Sequence, residues 1–290
     1  MTTETPGLLR RAAGSDFLLR FRRNRNAMIG SVIVFVVVVV AVLAPVIAPY
    51  DPAFINMLAI WEPPGGEYLL GTDSLGRDVF SRIVHGARVS LIIAGSVLAI
   101  TLVVGVTLGM IAGYFGGWAE TLIMRTVDVI FAFPELILAI LVAAALGTGT
   151  VTVIIALSLV WWPGIARLTR SLVLSVREEM FVDAAIASGT PAWKILARHL
   201  LPNIVSPIIV RASVGVGFII MAEATLSFLG IGVQEPTPTW GGMIRDGLAS
   251  LRTDPHLALY TSLALGVTII GFNMLGDGLR DLLDPKVRDR

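Results

Sequence analysis

The chain has 290 residues, 55% hydrophobic and 15% charged, with a formal net charge of +1 and a mean hydropathy of +0.82. Soluble domains carry about a quarter charged residues, so this composition excludes an ordinary soluble globule and indicates a membrane protein. The lack of cysteine excludes disulfides, thiolate chemistry and cysteine-based zinc or iron–sulfur sites.

In residues 1–26, Arg20, Arg22, Arg23 and Arg25 precede the first apolar run. No charge occurs from Asn26 to Tyr50. That length exceeds the roughly 7–15 apolar residues of a secretory leader and matches the ~20 needed to cross a bilayer. Residues 27–48 therefore read as an uncleaved first span, with a cleaved leader as the competing reading. A long loop, 49–88, follows. Further charge-poor runs at 89–114, 122–146, 151–169, 203–231 and 257–274 bring the expected spans to six, five of them in a core covering 89–278. Gly147-Thr148-Gly149-Thr150 between the third and fourth has turn composition and predicts a helical hairpin. Asp128 is expected to pair with Arg125 at the end of the third span. Trp161, Trp162 and Pro163 are expected to kink the fourth, the two indoles either packing or bordering a pathway.

Sixteen of the 22 Lys and Arg residues lie on the side that holds both tails and the loop between spans four and five. The positive-inside bias puts that side, with the tail 279–290, in the cytoplasm. The apolar runs are continuous rather than alternating, so the expected fold is all-α and polytopic, not a β-barrel.

The cytoplasmic segment 177–202 reads as helix, corner, helix. Gly189 suits the left-handed position that ends the first helix. Thr190-Pro191 predicts an N-cap and first turn for the second, and Pro202 its end. Ala184, Ala185, Ala187 and Ser188 form a small-residue patch beside the corner, which is either an ordinary amphipathic surface or a place where another protein approaches the backbone.

Span five contains Arg211 and Glu223. A charge at mid-bilayer costs ~2.5–3.5 kcal/mol on insertion scales, so each needs a polar partner or a wet path. Twelve residues, ~18 Å of helix, separate them, too far for a direct pair on one straight helix. Lining of a translocation path, placement near a membrane surface and packing against another helix stand as alternatives for both. Beyond span five, Trp240, Met243, Ile244, Leu248 and Leu251 recur at helical spacing and predict an amphipathic helix lying on the membrane surface. No phosphate-cradling G-x-x-x-x-G-K-[ST] occurs. His85, His199 and His256 show no metal-binding spacing.

Asp183-Ala184-Ala185, then Gly189, then His199-Leu200-Leu201-Pro202 resembles the EAA loop of bacterial ABC importer permeases, with Asp for Glu and His for Ile. Gly71-Thr-Asp-Ser-Leu-Gly-Arg-Asp-Val-Phe-Ser-Arg82, Ala222-Glu-Ala-Thr-Leu-Ser-Phe-Leu-Gly230, Pro236-Thr-Pro-Thr-Trp-Gly241 and Asn273-Met-Leu-Gly-Asp-Gly through Lys286 are similar to further signatures of the dipeptide, oligopeptide and nickel group, C-type subunit. The resemblance implies a type I ABC importer permease fold. Asp183, Ala184, Ala185, Gly189, Leu201 and Pro202 would then form the ATPase-coupling loop, and Glu223, Arg211, Trp161 and Trp162 possible path residues. It also implies a second homologous permease, two ABC ATPase subunits holding ATP and Mg, an extracytoplasmic substrate-binding protein and the lipid bilayer as partners. This chain would bind no cofactor or metal, carry no catalytic residue and engage no nucleic acid. Short peptides are the implied cargo, with nickel chelates, glutathione or another small solute as alternatives; a secondary transporter is a remote one.

Overall fold

The computed structural model describes residues 19–283. Helices dominate, and the bridges Gly65–Tyr68 and Thr72–Asp78 are the β-type pairings among the described residues. Helix α1 (Arg25–Val42) starts where the Asn24 side chain accepts from the Ala27 amide, and a short α2 (Ala44–Ile47) continues it past a break at Leu43. Helix α3 (Val79–Phe115) is capped by Asp78, which accepts from the Ser81 amide at 2.7 Å. It begins ten residues before the expected Val89, so the first loop is shorter than the expected 49–88, whose last residues are helical.

The expected third span is not one straight helix. It divides into α4 (Gly117–Phe131) and α5 (Glu135–Leu146), bent by 92°. Pro134 has no amide hydrogen to donate and pushes Phe133 out of the helical region, so the chain turns there. Helix α6 (Thr150–Arg177) runs through Pro163. Next come α7 (Met180–Ala187), α8 (Ala192–Lys194), a π-helical turn (Ile195–Leu200), α9 (Leu201–Phe228), α10 (Trp240–Leu248) and α11 (His256–Leu283). Among the described residues, five stretches are long and apolar enough to cross a bilayer, six if the bent pair counts as one.

Helix α3 is the axis of the bundle. Its Ile93 and Val97 pack with Leu157 and Val160 of α6 and Ile219 and Leu226 of α9. Toward its other end Gly105, Gly109 and Gly113 form a smooth strip against α6. A Cβ on Gly109 would stand 2.6 Å from the Thr169 Cβ, and one on Gly113 would stand 2.8 Å from that of Val173. Lipid tails are as apolar as leucine, so close backbone packing of this kind is a main source of helix association in a membrane. Side chains such as Phe35 and Val103 remain exposed on the outer faces.

Helix α10 exists, but its apolar side faces the protein. Trp240 and Met243 are buried, and the Trp240 indole donates to the Ile83 carbonyl at 3.0 Å. Only Leu248 and Leu251 of the expected lipid-facing stripe are well exposed. The inward turn has a simple cause: a buried indole N–H needs an acceptor, and the Ile83 carbonyl on α3 supplies it.

Candidate functional site

The segment between α6 and α9 forms an elbow. Helix α7 ends at Ala187, and the chain reverses through Gly189 at φ +70°. That conformation is cheap only without a Cβ, and nothing lies within 4 Å of where a Cβ would project. The amides of Gly189 and Thr190 close the corner on the Ile186 and Ala185 carbonyls at 2.9 and 3.1 Å. Thr190 is not the N-cap of the second helix: Pro191 occupies that place, without a side-chain capping bond. Pro202 does not end the second helix either. It lies in the first turn of α9, and the chain continues from Ala192 through the π turn into the span. A proline's missing N–H costs nothing at that position.

The elbow is anchored on one face and bare on the other. Val182, Ala185, Ile195 and Leu200 are buried with Val173 of α6 and with Ile204 and Ile208 of α9. Asp183, Ala184, Ala187, Ser188 and Gly189 are exposed, as are the large side chains of Met180, Phe181, Ile186 and Trp193. Leu201 is half-buried and Pro202 exposed. His199 packs its ring near Phe181.

The four proposed path residues separate. Glu223 is fully buried within the chain, and its carboxyl accepts from the hydroxyls of Ser90 on α3 and Ser227 on α9, both at 2.9 Å. Trp162 is buried with Val127 and Ala166 between α3, α4 and α6. Trp161 points the other way, into a cleft it shares with Arg211, which is exposed. Successive residues on a helix differ by ~100° in direction, which is why the two indoles part. Asp128 pairs with Arg167 of α6 at 2.7 Å and not with Arg125. Helix α4 packs along α6 and brings that guanidinium within reach, where it also lies over the Phe131 ring.

On the opposite end of the bundle is a charge cluster that the sequence analysis missed. Asp73, Arg77 and Arg82 are all under 5% exposed. Asp73 accepts from Arg77 Nε at 2.7 Å, from the Leu75 and Arg77 amides, and lies 3.4 Å from Arg82 Nε. Glu235, from the loop after α9, pairs with Arg77 and, at 3.0 Å, with Arg82. Burial alone would weaken the charge on Arg77; Asp73 and Glu235 outweigh it and hold its pKa above the ordinary arginine value. Gly76, at φ +71°, closes the turn that presents these groups. His256 adds a tie from α11 to the Thr72 carbonyl at 2.8 Å. The four-residue spacing of Asp73 and Arg77 was a visible signal; Glu235, 158 residues from Arg77, was not.

These features define a class: a multi-pass helical membrane protein with a tied-down layer at one end of the bundle and an exposed elbow at the other. Residues 105–289 match the family of binding-protein-dependent transport system inner membrane components. Residues 13–64 match the N-terminal transmembrane domain of oligopeptide transport permease C. Similar proteins include the glutathione transport system permease protein GsiD of Pectobacterium atrosepticum, 40% identical over 274 residues that cover 94% of this chain and 91% of that one. The dipeptide transport system permease protein DppC of Alkalihalophilus pseudofirmus is 41% identical over 269 residues, covering 93% and 88%. An Escherichia coli GsiD is 43% identical over 274 residues, covering 94% and 90%. The chain belongs to the binding-protein-dependent inner membrane component family, as an OppC-type permease of an ABC importer. It is a multi-pass inner membrane transport subunit and not an enzyme.

Proposed function

We propose that this chain and a second, homologous permease enclose a pathway for short peptides or glutathione, and that two ATPase subunits drive it from the cytoplasm while a solute receptor delivers cargo from outside. The observation that carries the coupling role is the elbow. It is fastened to α6 and α9 by Val182, Ala185, Ile195 and Leu200, yet leaves Met180, Phe181, Ile186 and Trp193 exposed around the small residues Ala184 and Ala187. Exposed apolar side chains grouped in this way suit a protein partner. Because the π turn runs directly into α9, a push on the elbow is transmitted to the span that carries Arg211 and Glu223. Alternating access then follows from movement of the elbow when the ATPases bind ATP.

In this reading Asp183, Ala184, Ala185, Gly189, Leu201 and Pro202 form the coupling element, and Arg211 with Trp161 borders the path. Glu223 and Trp162 support the helices behind it, since both are enclosed within the chain. Both termini and the elbow are cytoplasmic, as the distribution of Lys and Arg supports.

The experiment is Gly189→Val in the assembled importer. A β-branched residue is strongly disfavoured at φ +70°, so the corner distorts while the spans are untouched. The expected result is normal membrane insertion with loss of uptake, together with loss of receptor-stimulated ATP hydrolysis or of ATPase co-purification. Wild-type uptake and co-purification would refute the coupling role.

A further inference from the structure

Arg211 lies ~15 Å along α9 from Leu201 and ~26 Å from Phe228, inside the apolar span. Its guanidinium is exposed and has no hydrogen bond or ion pair among the described residues. The adjoining cleft between α3, α6 and α9 is lined by Thr101, Trp161, Gly164, Arg211 and Gly215, among others. Thr101 is 2% exposed, and its hydroxyl oxygen has no hydrogen-bond partner. Gly164 lies beside the cation: a Cβ there would stand 4.0 Å from Arg211 Nη2, at ordinary contact distance. A cation with five unused donors and an orphaned hydroxyl thus line one cleft from two helices, with Trp161 as part of its wall.

Two unsatisfied donors of this kind, one of them a planar fork, are complementary to a carboxylate. A carboxylate crossing an apolar pathway sheds water and needs a counter-charge, and Arg211 is the charge available at that depth on α9. We propose that Arg211, with Thr101, is a specificity-determining site that binds a carboxylate of the cargo in mid-membrane. The cargo class is then a small solute with a free carboxylate, either the C-terminus of a peptide or a carboxylate of glutathione. This rests on the pathway reading above.

The test uses the complete importer with its receptor in vesicles loaded with ATP. Uptake of glycyl-leucine, glycyl-leucinamide and glutathione is compared for wild type, Arg211→Gln and Arg211→Lys, with ATPase co-purification checked for each. Loss of a charge-assisted hydrogen bond predicts that Arg211→Gln slows acid uptake by about 10- to 100-fold. Arg211→Lys retains most of it, and the ratio of amide to acid uptake rises in the Gln variant. A loss confined to the dipeptide or to glutathione identifies which carboxylate is read. Acid uptake within about twofold of wild type in Arg211→Gln overturns the assignment. So does an equal loss of acid and amide, or a Lys variant as impaired as Gln, since either would mean that the guanidinium serves assembly or pairs with another subunit. If the amide is not carried by wild type, the contrast between Lys and Gln decides. Wild-type vesicles that carry neither cargo would overturn the pathway's cargo reading, a failure distinct from one seen only in the variants.

Discussion

Replacing Asp73 by Ala tests how the layer around the charge cluster is held. Asp73 is 2% exposed and serves two buried guanidinium groups and two backbone amides. After the substitution Glu235, whose side chain is 45% exposed and correspondingly screened by water, is the remaining acidic partner of Arg77 and Arg82 among the described residues, with the Pro52 carbonyl still accepting from Arg82. Breaking a buried pair by removing one partner costs ~3–5 kcal/mol, because the remaining charge is left buried without compensation. At about 1.4 kcal/mol per tenfold, local opening becomes on the order of 10²- to 10⁴-fold more frequent. The reporters are the amides of Trp61, Thr72 and Val79, which donate to the carbonyls of Asp73, Glu62 and Gly71. Hydrogen exchange of the purified protein in lipid nanodiscs should show all three accelerating together, while amides in the middle of α3 do not change. Adding Arg82→Met removes one uncompensated cation and should restore part of the protection. Acceleration of less than about fivefold at these amides, with the fold intact, would refute the view that the buried pairs hold the layer closed.

Gly109→Val should lower the melting temperature of the purified protein by forcing α3 from α6, an overpacking cost of about 1–3 kcal/mol or more; Gly95→Ala, where a Cβ meets nothing within 4 Å, is the control and should not lower it. For the orientation, a cysteine placed at the exposed Thr237 should react with a membrane-impermeant thiol reagent from outside, while cysteines at Ser15 and Asp289 should be shielded in intact cells. Ser15 and Asp289 lie outside the described residues, so this experiment is their direct test.

Membrane class, the number of apolar segments and the elbow were legible in the sequence because each is local. A run without charges identifies itself wherever it packs, and a glycine between two short helices signals a left-handed turn from its neighbours alone, as Gly189 does at φ +70°. The close-packed strip at Gly105, Gly109 and Gly113 was equally visible as a repeat of small residues at four-residue spacing, and the sequence reading passed over it. Tertiary structure decided what each polar or aromatic group faces. Glu223 meets Ser90 across 133 residues, and Asp128 meets Arg167 across 39. Trp240 turns inward to the Ile83 carbonyl instead of lying in lipid. Hydropathy also could not reveal that the 122–146 segment bends by 92°, since residues on both sides of Pro134 are apolar enough for a single span. Composition determines whether a segment enters the membrane; the direction of each side chain depends on the rotation of its helix against neighbours far away in sequence, which is why the exposed Arg211 and the enclosed Glu223 look alike until the helices are packed.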